Sequence, residues 1–296
     1  MQSIIYSLLI NCFEDNFCDK IPNIDLQLFL ISVKSLVPYE DKIGCFFDVE
    51  RYEKELELLK LYKNGENEVL DNYFSNNKLS TLEDDLLESK IIPIVIANTD
   101  WDILINEVLK AVTVYSFNQN ILLNAIIISS VIDIYLNNKD VQFDMISEIT
   151  KERIIGFSLK EFFKANNIIV DKYNFIDFEK ERIKLITKNI ISDIIKNEYR
   201  SINYILNNKS EITLESERDS VLNNFSVYLS KLRKGIISPD KLKIPQEDIP
   251  EFNMFLKYSS FNHPLLGKCK VVKREDKSVI IRNKSGLIKV NIWKYY

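Results

Sequence analysis

Asp15 and Asp25 are the first residues in this chain whose type and spacing suggest chemistry. They stand in LLINCFEDNFCDKIPNIDLQLFLISVKSL, at the facing ends of two apolar helical runs, with only nine residues between them. Two carboxylates so placed could share a divalent cation, because hard ions such as Mg²⁺ take oxygen ligands. They also read as ordinary helix-end acids. Asp15 suits a C-terminal turn, and Asp25 a first turn, where the helix dipole favours negative charge. That plainer account is preferred for both. Asp177 and Glu179 in FIDFEKE read as the solvated face of a charged helix rather than as ligands.

Other catalytic constellations are poorly supplied. His263 is the only histidine, beside Pro264, and nothing in the sequence pairs with it. Ser-His-Asp and Cys-His nucleophile systems are therefore disfavoured. Cys12, Cys18, Cys45 and Cys269 form no C-x-x-C pair. They read as reduced, buried thiols rather than zinc ligands or disulfides. Glycine occurs six times in 296 residues, which argues against phosphate-cradling loops and tight-turned β architecture.

The elements that must position these residues are mostly helical as far as residue 258. Leu26, Phe29, Leu30, Val33 and Leu36 repeat at helical spacing, as do Val49, Tyr52, Leu56 and Leu59. Ser80 and Glu83 form a Ser-x-x-Glu box predicted to open a helix that Pro93 then interrupts, with a new start near Thr99 and Asp100. A second box stands at Ser158 and Glu161, and Ser238-Pro239 marks a further start. With 46% hydrophobic and 28% charged residues the composition is that of a globular protein. No uninterrupted apolar run reaches the roughly 18 residues needed to cross a bilayer. MQSIIYSLLIN lacks a basic n-region, so the expected location is cytoplasmic, with no membrane partner.

The period changes near the C-terminus. KCKVVKRE, SVIIRNK and LIKVNIWKYY predict a three-stranded meander, too small to stand alone. The expected division is a helical domain over 1–258 and a small β module over 262–296. From Gly267 onward nine basic residues face two acids, a balance of +7 that leaves −11 for the rest of a chain whose total is −4. Docking of this module onto the acidic body is the preferred account. The alternative is contact with nucleic acid or an acidic partner through Lys268, Lys270, Lys273, Arg274, Arg282, Lys284, Lys289 and Trp293.

The helical part resembles the ADP-ribosylglycohydrolase family, an all-α fold that cleaves ADP-ribose from proteins with two magnesium ions. The family's opening helix, roughly G-x-L-L-G-x-x-x-G-D-A-L-G, is similar to YSLLINCFEDNFC, with Asp15 at the motif's aspartate and Tyr6, Ile10, Glu14 and Cys18 at its glycines. The next motif, [ST]-D-D-T-Q-L-A-L, is similar to NIDLQLFL, with Asn23, Ile24, Asp25 and Leu26 in its first four places. M-R-x-x-P-L-G resembles SKIIPIV, with Lys90 at the arginine and Pro93 at the proline; Tyr115 and Ser116 stand where Thr-His is usual. These blocks span about residues 6–36 and 86–136.

The resemblance implies an all-α body, to which the period change adds a small C-terminal β module, but the family's metal motifs are depleted. Isoleucine and leucine stand at two ligand positions beside Asp25, no late D-x-D occurs, and the loop between the first two motifs is reduced to nine residues. Two divalent ions need several anionic ligands to offset their repulsion. The expectation is therefore a non-catalytic relative acting as a binding or structural module, its partner a protein or an ADP-ribose-like ligand, with no cofactor. An active Mg²⁺-dependent hydrolase is the alternative, with Asp15, Asp25 and an acid such as Asp177 on one ion.

Overall fold

Helices that are apolar all round, rather than amphipathic, define the centre of this molecule. The computed structural model describes residues 1–13, 21–76, 79–168, 172–187, 199–207, 221–237 and 251–292. Asp15, Cys18, Ser238-Pro239 and Trp293 lie outside the described residues. Helix α5 (Leu87–Ala97) buries every residue from Ser89 to Ala97. A helix without a polar stripe finds a low-energy place only among other elements. It packs against α2 (Ile24–Lys34), α6 (Trp101–Val112), α7 (Gln119–Asn137) and α12 (Val221–Arg233). Around this centre stand α1 (Gln2–Cys12), α3 (Val49–Leu59), α4 (Glu68–Asn76), α8 (Phe143–Gly156), α9 (Leu159–Ala165), α10 (Lys172–Thr187) and α11 (Arg200–Asn207), with the short α13 (Phe252–Phe255) near the C-terminus. The protein is mainly α, with thirteen helices among the described residues.

Local signals set several boundaries as expected. Asp100 caps α6 by accepting from Ile103 N at 3.0 Å, and Ser158 caps α9 by accepting from Glu161 N at 3.3 Å. Tyr52, Leu56 and Leu59 of α3 are fully buried. Two expectations fail in the next stretch. Ser80 does not open a helix: its backbone bridges to Ser116, donating to Tyr115 O at 2.9 Å and accepting from Phe117 N at 2.7 Å. Its hydroxyl closes a local turn on Leu82 N, an alternative that serine offers readily. Pro93 does not interrupt either, because α5 runs through it. An interior proline costs about 3 kcal/mol. Here the helices packed around α5 bury its apolar side chains, a gain that proline's local penalty does not outweigh. Leu36 also leaves the expected helical stripe, since α2 ends at Lys34 and Leu36 opens a hairpin of β1 (Leu36–Pro38) and β2 (Cys45–Phe47).

Among the described residues only α7 is long and apolar enough, by length and composition, to cross a bilayer. Its scattered asparagines and serines keep it from being an unbroken apolar run, and α5, α6, α8, α10 and α11 cover it. Its one acid, Asp133, is 1% exposed and lies 2.7 Å from Arg153 and 3.8 Å from Arg233.

The C-terminal sheet has four strands rather than three: β3 (Ser260–His263), β4 (Gly267–Arg274), β5 (Ser278–Asn283) and β6 (Gly286–Asn291), antiparallel in chain order. The extra strand is four residues long with a burial pattern too weak to read from SFNH. Cys269, Val279, Ile281, Ile288 and Val290 form the inner face. That face packs on the body beside α2, with Asn291 N donating to Leu61 O at 3.0 Å.

His263 pins the β3–β4 turn. Its Nδ1 accepts from Leu265 N at 3.2 Å and Leu266 N at 3.3 Å, between the rings of Phe252 and Phe255. Burial, helped by the Lys34 charge, pushes its pKa from 6.5 down to about 4. In the unfolded chain the imidazole takes up a proton that the folded chain resists. The contribution is therefore complete above pH 6.5 and is lost as pH falls toward 4, by about 1.4 kcal/mol per unit. Urea unfolding of wild type and His263→Asn at pH 7 and pH 5 checks this. The wild type should lose more stability than the variant, whose amide oxygen can accept the same bonds but does not titrate. Equal losses would refute the assignment.

Candidate functional site

Four helix ends meet around Asp25. Asn23 caps α2 by accepting from Leu26 N at 3.0 Å, which sets Asp25 in the first turn. Its carboxylate accepts from Ser89 Oγ at 3.3 Å, at the start of α5. Arg200, which opens α11, brings Nη1 to 4.0 Å from Asp25 and donates from the same atom to Cys12 O at 3.1 Å, the end of α1. Glu88 completes the corner by accepting from Arg200 N at 3.0 Å, Ser201 N at 2.9 Å and the Ser201 hydroxyl. A carboxylate at a helix N-terminus meets orphan N–H groups and the positive end of the dipole. Burial nevertheless raises the Glu88 pKa above its ordinary value, with the Ser201 and Arg200 donors opposing the rise. Cys12 beside it has its thiol pushed well above normal by burial and the nearby Glu88 charge.

Behind this corner lies a closed polar cluster. Lys90 Nζ stands 2.6 Å from Asp84 Oδ2, 3.3 Å from Ser116 Oγ and 4.0 Å from the centre of the Tyr115 ring. Both charged side chains are completely shielded from solvent. Burial lowers the Lys90 pKa, and the Asp84 charge opposes that. The hydroxyls of Ser32, Tyr52 and Tyr115 converge nearby without well-formed hydrogen bonds. The cluster ties the segment before α5 to the α6–α7 connection.

The structure thus gathers Asp25, Lys90, Tyr115 and Ser116 near the N-terminal end of α5. Asp84, Glu88 and Arg200 join them as partners that the sequence does not mark: Asp84 and Glu88 lie in the stretch that the Ser80 box is predicted to cap, and no local signal points to Arg200. Asp177 pairs with Lys180 at 3.1 Å on α10, which packs on α7 and α8.

A pair of magnesium ions does not fit the described part of this corner. The neighbours of Asp25 on α2, Ile24 and Leu26, are buried apolar side chains, and among the described residues its ion-pair partner is the Arg200 guanidinium at 4.0 Å. Among the described residues no three acid, histidine or cysteine side chains converge on one point. No family model, curated protein or solved structure matches this chain.

The basic residues of the sheet are a second candidate. Paired residues in an antiparallel sheet share a face. Lys270 pairs with Arg282, which pairs with Leu287; Lys273 pairs with Ile280, which pairs with Lys289. With Lys268, five of the eight expected contact residues stand exposed on the outer face. A bulge at Val272 is responsible for one of them. Without that extra residue, strict alternation would put Lys273 on the inner face with Cys269 and Val271. Arg274 is used elsewhere, donating to Leu256 O at 2.6 Å and Tyr258 O at 3.2 Å. Lys284 sits in the β5–β6 turn. Glu275 meets Lys273 at 2.8 Å and Lys289 at 3.2 Å, and hydrogen bonds from Lys273 and Ser278 help hold its pKa at about 2. Among the described residues the sheet meets the body through its apolar face.

Proposed function

We propose that this chain is a non-catalytic binding or structural protein with an ADP-ribosylglycohydrolase-like helical body. The observation that carries this reading is the setting of Asp25. Apolar Ile24 and Leu26 flank it where the family motif has ligands, and its carboxylate meets a serine hydroxyl and Arg200. A positive charge at 4.0 Å opposes a divalent cation at the same carboxylate. The interactions of Asp25 suffice to join α2, α5 and α11, which is a structural task.

The test is hydrolysis of proteins ADP-ribosylated on arginine or serine, with and without Mg²⁺. The expected result is no turnover above buffer. Mg²⁺-dependent turnover that Asp25→Ala abolishes would overturn the proposal. A thermal-shift titration with ADP-ribose is the companion measurement, since any ligand selective for the folded state raises Tm by mass action. Any stabilisation is expected to be the same with and without Mg²⁺.

A further inference from the structure

We propose that the outer face of the β3–β6 sheet is a docking surface for single-stranded nucleic acid. This goes beyond the proposed function, which concerns the helical body, and it stands or falls separately.

Charge complementarity is the first ground. The outer face gathers Lys268, Lys270, Lys273, Arg282 and Lys289, all exposed, on a chain whose remaining charge is strongly negative. Glu275 partly neutralises Lys273 and Lys289, but Lys268 and Lys270 have no acidic partner among the described residues. These two lysines are two residues apart on β4, about 6.6–6.8 Å along the strand. Lys270 has Arg282 beside it on β5. Such a lattice of cations on a shallow surface suits an extended polymer carrying one charge per unit.

The second ground is an exposed ring at one end of that lattice. Ser259 O accepts from Val271 N at 2.8 Å, which places Tyr258 and the bulged Val272 at the same end of the sheet. Tyr258 is 63% exposed and Val272 52%. Arg274 holds the backbone there by donating to Tyr258 O. Unpaired bases stack on such rings without regard to sequence, whereas a duplex keeps its base faces to itself. A membrane surface fits less well. Apart from Tyr258 and Val272 at its end, the apolar side chains on this face, Ile280 and Leu287, are half-buried within the sheet, so there is little to insert.

The experiment is fluorescence anisotropy of the full chain with labelled mixed-sequence single strands of about twenty nucleotides, long enough to fill a groove of the usual site size. The logarithm of the association constant should fall linearly with log salt, with a slope of roughly −2 to −3 if three or four phosphates are neutralised. Lys268→Glu with Lys270→Glu should weaken binding at least about tenfold and flatten the slope by about 1.4. Tyr258→Ala should weaken it about fivefold or more and leave the slope unchanged. Melting curves check that each variant folds, and Lys268→Gln with Lys270→Gln replaces the glutamate pair should that one fail. No binding at low salt would overturn the proposal. So would binding insensitive to both lysines, or equal or tighter binding to poly-glutamate, to phosphatidylserine vesicles or to a duplex of the same sequence.

Discussion

Asp84→Ala is expected to lower the free energy of unfolding by about 3–5 kcal/mol, the range for breaking one side of a buried ion pair. Lys90 would be left fully buried with only Ser116 and the face of Tyr115 for company. An unpaired ammonium in that setting sheds its proton rather than stay charged. The pH dependence follows in sign. The unfolded chain binds a proton at Lys90 near its ordinary value of 10.5, while the folded variant does not. Stability of the variant should therefore climb with pH up to that value, and the gap from wild type should narrow between pH 7 and pH 10. Lys90→Met added to Asp84→Ala should recover much of the loss, because it removes the stranded charge. Urea unfolding of the three proteins at two pH values measures all of this. A single-variant loss below about 1 kcal/mol would show that the pair carries no such weight.

Arg233→Met is expected to cost about 2–4 kcal/mol, through orphaned acceptors rather than lost volume. The guanidinium is 5% exposed and closes the end of α5, donating to Val95 O at 3.4 Å, Ile96 O at 3.2 Å and Asn98 O at 2.6 Å. Its other arm donates to Asn137 Oδ1 at 2.8 Å and approaches Asp133 at 3.8 Å. One planar fork thus serves the C-terminal ends of two central helices. Lysine is a point charge on a flexible stem and cannot address both arms, so Arg233→Lys should recover little of the loss. Denaturant unfolding should show a lower midpoint with an unchanged slope, the mark of lost stability without a change in the surface exposed. Recovery by lysine of most of the loss would mean that charge alone, and not the forked geometry, does the work.

Much of the helical layout was legible because its signals are short-ranged. Caps at Asp100 and Ser158 reach three residues, the α3 stripe repeats every turn, and the switch to strand period near the C-terminus shows within eight residues. The failures lie where distant backbone competes with a local signal. Ser80 satisfies every local condition for a helix start, yet its backbone pairs with Ser116. Pro93 breaks an isolated helix, but α5 is enclosed by four others. The bulge at Val272 exists only relative to the strand beside it, so no periodicity of KCKVVKRE alone could show that Lys273 faces outward.

From the sequence alone come the predominance of helices, the apolar residues Ile24 and Leu26 on either side of Asp25, and a basic terminal segment on an acidic body, because composition and short-range periodicity are properties of neighbours along the chain. Tertiary structure decided the rest. It brought Arg200 to Asp25, Ser201 to Glu88 across 113 residues, and Asp84 and Ser116 to Lys90, and it turned the cations of the sheet to solvent. Such pairings depend on which faces pack together in three dimensions, and a repeat measured along one dimension carries no record of them.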